Sequence, residues 1–196
     1  MDEQSNLTGK MLIAMPGMSD SRFDRSVILI CAHSPEGAMG IVVNRPLPEL
    51  EFSELLSQLG IDRDAAAREV PVHFGGPVEP GRGFVLHALP LSERAVEGGE
   101  EHEGRMEIAP GLAMTTTRDI LEDLARGRGP DRAMLALGYA GWGPGQLEGE
   151  MLANGWLTTD RSDDLVFGTD DAGKWAKAIR GLGIDPSLLS QRAGRA

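Results

Sequence analysis

The segment Ser26-Val27-Ile28-Leu29-Ile30-Cys31-Ala32-His33 constrains the fold most. It is rich in β-branched residues and apolar at odd and even positions alike, so it reads as a strand covered on both faces. A chain with such a strand must supply a packing layer for each side. Ser34-Pro35-Glu36-Gly37 follows, with Pro suited to the second turn position and Gly to the fourth. Met39 to Asn44 then returns as the second strand of a hairpin, in one of two registers that differ by a residue. A shorter strand, Lys10 to Met15, stops at Pro16-Gly17. Val72 to Phe74, Gly83 to Ala88 and Ala133 to Tyr139 also read as strands, the first two separated by a loop from Gly75-Gly76-Pro77 to Gly81.

Helical signals are short and scattered. Ser53 can cap a helix with Leu55, Leu56 and Leu59 on one face, and Gly60 stands where a left-handed residue ends it. Ile61 can then pack back on Leu56. The same stop recurs, because Leu182-Gly183-Ile184-Asp185 repeats Leu59-Gly60-Ile61-Asp62. Thr116 with Asp119 resembles a capping box ahead of Ile120, Leu121 and Leu124. Gly143-Pro144 opens a helix carrying Leu147 and Met151. Asp170 and Asp171 suit the start of a last helix whose apolar face is Trp175, Ile179 and Leu182. Residues 93–107 are acidic, Gly-rich and without period, which predicts a solvated loop or edge excursion. With 26 glycines, roughly twice the usual share, turns are frequent. Hairpins alternating irregularly with short helices predict an α+β fold rather than a regular βαβ wind, as one domain over residues 1–196.

Charge and composition narrow the function classes. Nineteen Lys and Arg against 30 Asp and Glu leave a net charge of −11, which repels a phosphate backbone and an anionic membrane. Arg126, Arg128 and Arg132 make too small a basic patch to reverse that. The apolar run Val27 to Ala32 is far too short to span a bilayer, and Met1 to Asn6 carries no secretory signal. A single cysteine excludes an internal disulfide and a Cys-rich zinc site. The expectation is a soluble cytoplasmic protein with no nucleic-acid or membrane partner.

Several ordered strings carry a family resemblance. They are Leu7-Thr8-Gly9-Lys10-Met11-Leu12-Ile13-Ala14-Met15-Pro16, Phe23-Asp24-Arg25-Ser26-Val27, His33 with Gly37-Ala38-Met39-Gly40, and Asn44-Arg45-Pro46. Gly75-Gly76-Pro77-Val78, Gly138-Tyr139-Ala140-Gly141-Trp142, Gly145-Gln146-Leu147-Glu148 and Asn154-Gly155-Trp156-Leu157 complete the set. From about Leu7 to Ile184 the chain resembles the YqgE/AlgH family of bacterial proteins, departing mainly in the acidic stretch after Leu91. The resemblance implies a split, mostly antiparallel sheet curled into a pseudo-barrel with helices outside. It implies little chemistry: the family is largely uncharacterised, and some members carry the label of transcriptional regulator without a DNA-binding element to support it.

The chemical motifs are incomplete. Gly168 to Trp175 has the spacing of a phosphate-binding loop, but Trp175 replaces the metal-binding hydroxyl and two aspartates would face the phosphates. The competing reading is a helix start with acidic residues at the dipole's positive end. Gln146 stands where a dinucleotide fingerprint starting at Gly141 needs its last glycine. Gly17 to Ser21 fails as a nucleophile elbow, leaving Ser19, Ser21 and Ser26 as turn and strand-entry residues. His33, His73 and His87 lie on or beside predicted strands and can be gathered by the fold, although each alone reads as a structural histidine, and His102 as exposed. No metal or cofactor is expected. Thr115-Thr116-Thr117 reads as strand-end and capping residues or as a hydroxyl cluster.

Two places remain as candidate sites. Cys31 and His33, two apart on one strand, are expected on the same face about 7 Å apart at ~3.4 Å per residue. There Cys31 is either a small buried hydrophobe or a reactive thiol. Tyr139 to Glu148 reads as a strand end and Gly-rich turn displaying Tyr139 and Trp142 before a helix with Gln146 and Glu148. Trp142 is expected to be presented rather than buried, with a core plug as the alternative. Together with His33, Asn44, Gly75 and Gly76, these residues form the expected contact surface for a small metabolite or a protein partner. The function expected is non-enzymatic, regulatory or accessory. A thiol-based enzyme or redox-responsive protein acting through Cys31 is the first alternative, and a transcriptional regulator the second.

Overall fold

The structure, a computed structural model, describes residues 6–18, 20–65, 67–89 and 104–189. The sequence-predicted hairpin is its frame: β2 (Val27–Ser34) and β3 (Gly37–Val42) pair antiparallel, with Ile28 opposite Val42 and His33 opposite Ala38. β1 (Met11–Ala14) lines the other side of β2, and β9 (Trp156–Thr159) lies beyond it. β4 (Val72–Phe74), β5 (Val78–Ala88), β6 (Arg105–Ala109), β7 (Leu112–Thr115) and β8 (Ala133–Trp142) supply the rest. The order is β6-β7-β5-β8-β3-β2-β1-β9, with β4 pairing parallel to β8 and every other pair antiparallel. The sheet curls into a half-barrel flanked by α1 (Phe52–Gln58), α2 (Arg118–Ala125), α3 (Gln146–Leu152), α4 (Asp163–Phe167) and α5 (Asp171–Gly181). This is the α+β architecture that the resemblance implies.

β8 joins the two halves. Its first part runs between β5 and β4, and its last residues, Ala140 to Trp142, pair with β3. The change of partner occurs at Gly138, whose φ is 73° and where a Cβ would stand 2.3 Å from the Gly76 carbonyl oxygen. Only glycine allows both the left-handed backbone and that approach.

β2 is covered on both faces. Val27, Leu29 and Cys31 pack with Ile41, Val43 and, from α5, Trp175 and Ile179. Ile28 and Ile30 pack on the opposite side with Val42, Trp142, Trp156 and, from α3, Leu147. Burying one such aliphatic side chain contributes roughly 1.5–3 kcal/mol, which is why the two-sided strand organises the molecule. A third cluster joins Phe52 and Leu56 of α1 and Leu124 of α2 to Val85 and Leu135.

Helix stops are legible in the chain and helix starts are less so. Gly60 and Gly183 both adopt positive φ, and Ile61 and Ile184 N–H groups reach back to the Leu56 and Ile179 carbonyls at 2.8 and 3.3 Å. The same closure ends α2 at Gly127 and α3 at Asn154. By contrast, Ser53 is not the cap of α1. Phe52, a buried core residue, is already helical, and the Ser53 N–H donates to Glu69. Leu59 is 48% exposed, outside the face it was expected to share. The cap of α2 is Thr117, while Thr116 bonds the Gly104 carbonyl oxygen. Pro144 precedes α3, whose cap is Gly145 with φ 71°. Of the acidic stretch 93–107, residues 93–103 lie outside the described residues, and Arg105 to Glu107 belong to edge strand β6. β5 begins at Val78 with a register shift before Gly83, inside the segment expected to be loop.

Candidate functional site

Trp142 is not in a turn. β8 continues through it, and the residue is only 6% exposed, buried rather than presented. Its indole N–H donates to Glu150 Oε2 at 2.9 Å, and that of Trp156, also buried, donates to the same oxygen at 2.7 Å. The two rings meet edge to face at 5.9 Å, and Phe23 adds a second such contact to Trp156 at 5.8 Å. Gln146, one helical turn before Glu150, donates to Oε1 at 2.9 Å and accepts from the Gly143 N–H at 3.1 Å. One carboxylate therefore ties β8, α3 and β9 together. Beside it lies a cavity of about 450 Å³, lined by these rings, Met15, Met18 and Pro77, with Asp20 and Arg22 among its polar residues.

Glu148 points elsewhere on α3. It is exposed and accepts from His33 Nε2 at 2.8 Å, while the Leu7 N–H donates to His33 Nδ1 at 3.1 Å. Those two bonds fix the Nε2–H tautomer. Glu148's own backbone N–H and then His33 hold its carboxyl below the usual carboxylate range.

The structure corrects the expected Cys31–His33 pairing. A β-bulge between Ile30 and Ala32 interrupts the alternation, so Cys31 enters the core beside Leu29 while His33 turns towards α3 on the opposite face. Burial pushes the Cys31 thiol up to about 12. At neutral pH it is a buried hydrophobe.

The other predicted site residues disperse. Tyr139 meets Phe84 edge to face at 5.8 Å and lines an adjoining open groove of about 760 Å³, which Trp142 also borders, with Met39, Met106 and Met114. Asn44 accepts from the Val27 N–H at 2.8 Å and donates to the Arg25 carbonyl at 2.9 Å, clipping a turn where Arg25 has a φ of 52°. Gly75 and Gly76 are buried against the β8 backbone. Only Trp142 and Gln146 of the expected surface reach the Glu150 cavity.

The three described histidines keep different partners: His33 with Glu148, His87 with Thr115 at 2.9 Å, and His73 beside Asp171 at 3.1 Å. His102 and Ser19 lie outside the described residues. Among the described residues, no three His, Cys, Asp or Glu side chains are placed to hold a metal ion. No described helix is long and apolar enough to cross a membrane. Asp170 caps α5 through the Gly173 N–H, which makes the phosphate-loop spacing an ordinary helix start. Lys174 is 3% exposed, lies 2.7 Å from Asp171 Oδ1 and donates to the Val43 carbonyl oxygen at 2.7 Å. Burial pushes the Asp171 carboxyl up, but His73 and Lys174 outweigh it and hold it below the usual range. Asp171 faces a third cavity, of about 490 Å³, with Arg25 and Arg45. The three arginines of the small basic patch are paired, Arg126 with Glu122, Arg128 with Asp123 and Arg132 with Asp163.

The motif reading missed Glu150, Trp156 and Phe23 as one constellation. The i, i+4 spacing of Gln146 and Glu150 was a local signal, but the convergence of both indoles comes from pairing β9 with β1, which no local pattern encodes.

Residues 11–187 match the model of a family described as AlgH-like. The chain belongs to that family. A Paracoccus denitrificans relative named UPF0301 protein is 67% identical over the whole of both chains. A Cereibacter sphaeroides relative of the same name is 52% identical, over 97% of this chain and 100% of its own. The solution structure of the AlgH protein from Pseudomonas aeruginosa superposes with a TM-score of 0.76 at 36% identity, covering 100% of this chain and 99% of that one. A crystal structure of a Corynebacterium diphtheriae protein shares the fold, with a TM-score of 0.72 at 20% identity over 96% and 92% of the two chains. These relatives carry family names without an activity.

Proposed function

We propose that this AlgH-like protein is a non-enzymatic regulatory or accessory protein of the cytoplasm that binds a small metabolite in the Glu150 cavity. The observation that carries this is the construction of the cavity wall. Two buried indoles and a glutamine from three different elements converge on one carboxylate beside a cavity of about 450 Å³. Its wall combines aromatic and aliphatic side chains with convergent polar groups, and a cavity of this size with such groups is a usual form of a small-molecule site. The thiol-based alternative draws no support from Cys31, whose side chain is enclosed in the core. The regulator label draws none from the paired arginines, which leave no basic helix among the described residues to meet a phosphate backbone.

An NMR titration with a low-molecular-weight extract of bacterial metabolites tests the reading. The indole N–H signals of Trp142 and Trp156 should move, and that of Trp175, bonded to the Ala14 carbonyl oxygen in the core, should not. Three unmoved indole signals would reject the cavity as a binding site. The thiol alternative is checked separately: native protein should resist alkylation near neutral pH and react only after denaturation.

A second reading, a protein partner seated on the open groove, is favoured by one observation. Met39, Met106 and Met114 line it together, and clustered thioethers suit an adaptable contact surface. Broadening confined to those methyl signals on adding a partner would support it.

A further inference from the structure

The proposal that the cavity binds a metabolite leaves open which kind, and the charge around it answers that. Three charged side chains line the cavity: Asp20, Arg22 and Glu150. Arg22 gives Nε and Nη2 to the two oxygens of Asp20, at 3.0 and 2.7 Å, so that pair cancels. Glu150 is different. Its donors are two indoles and an amide, all neutral, and no described Lys, Arg or His pairs with it. A half-buried carboxylate is ordinarily matched by a cation, because desolvating an unmatched charge is costly. Here the donors hold the carboxylate in place without neutralising it.

The surroundings favour one kind of counter-charge. Trp142, Trp156 and Phe23 line the same cavity, and aromatic rings attract cations through their negative faces while offering nothing to an anion there. An inorganic cation would need several oxygen ligands, and of the two carboxylates that line the cavity Asp20 is already held by Arg22, leaving Glu150 alone. From these observations we infer that the ligand is a small organic cation, an ammonium head group with an apolar body, seated in the cavity against the rings that line it, with its charge towards Glu150. This rests on the metabolite-binding reading above and gives it a chemical class.

The test uses three probes of one shape in the full-length protein. Choline carries the positive charge. Its carbon isostere, with tert-butyl in place of trimethylammonium, is neutral, and the corresponding tert-butyl carboxylate is negative. Binding is read from the indole N–H signals of Trp142 and Trp156, with Trp175 as internal reference. Choline should shift the first two at least tenfold more tightly than the neutral isostere, and the carboxylate should not shift them at all. Raising the salt concentration should weaken choline binding, since exposed charge attraction is screened. Glu150→Gln should remove the tenfold preference while Trp175 keeps its wild-type position, which reports that the fold survives. Should that variant not fold, the wild-type comparison alone decides.

The failures are distinct. If the neutral isostere or the carboxylate binds as well as choline, the cation inference falls and the metabolite-binding reading stands. If none of the probes moves either indole while the metabolite extract does, the cation inference falls alone. If neither probes nor extract move them, both fall.

Discussion

Two carboxylates in this molecule sit beside buried side chains and open onto cavities, yet they are built oppositely. Asp171 lies between two basic side chains, His73 at 3.1 Å and Lys174 at 2.7 Å, and Lys174 is itself almost wholly enclosed. Glu150, on α3, meets only neutral donors. In the first case the charge is spent inside the protein, cross-linking α5 to the β3 end through Lys174 and Val43. In the second it remains available. A buried ion pair adds little net stability beside an apolar alternative of the same shape, but breaking one leaves an unpaired charge and is costly. The two sites should therefore respond differently to substitution.

The largest effect is expected on the Glu150 side from Trp142→Ala, which empties a ring site and removes one of the donors. Urea denaturation should show a loss of roughly 3–5 kcal/mol with an unchanged slope. A near-native midpoint would mean that the ring is not a core element. Next comes Lys174→Met, which leaves Asp171 without its buried partner. The expected loss is about 3 kcal/mol, the low end for a broken buried pair, because Asp171 keeps His73 beside it. A neutral outcome would erase the contrast between the sites. Glu150→Gln should cost less, about 1–2 kcal/mol, since one amide oxygen can still accept from the indoles while the contact with Gln146 becomes donor against donor. If this loss exceeded that of Lys174→Met, Glu150 would be the more structural of the two.

The smallest effect is in pH dependence. The folded-state pKa of Asp171 is depressed, so its contribution to stability is present above the unfolded value and is lost as pH falls through the folded one. As pH falls below the ordinary carboxylate range of about 4, wild type should lose more stability than Asp171→Asn, by an amount that Lys174→Met reduces. Equal acid profiles in wild type and Asp171→Asn would remove this contribution.

Much of the frame was legible because it is written locally. The two-sided run from Val27 to Ala32 announces a strand with two layers, and Gly60 and Gly183 mark helix stops through the backbone geometry that glycine alone accepts readily. What was not legible depends on distant pairing. The bulge at Cys31 inverts the face of His33, and nothing between Ile30 and His33 signals an extra residue in the register. Trp142 looked presentable between two glycines, but β3 pairs with it through Ala38 and carries the strand past the expected turn. Ser53 and Thr116 were credible caps on residue type, and lost to neighbours because Phe52 had a core to fill and Thr116 a carbonyl to meet. Within the candidate site, Gln146 and Trp142 were legible from the strand end and the helix start. Glu150, their common partner, was not, because an acidic residue on a short polar helix looks like any solvated one.

The shared strand β8 has a consequence for how the molecule comes apart. Its first part is hydrogen-bonded between β5 and β4, and its last part to β3, so neither half of the half-barrel owns it. Releasing one half exposes the edge on which the other depends. The two halves are therefore a single cooperative unit, and amide hydrogens along Ala133 to Trp142 should exchange with solvent only when the whole chain unfolds.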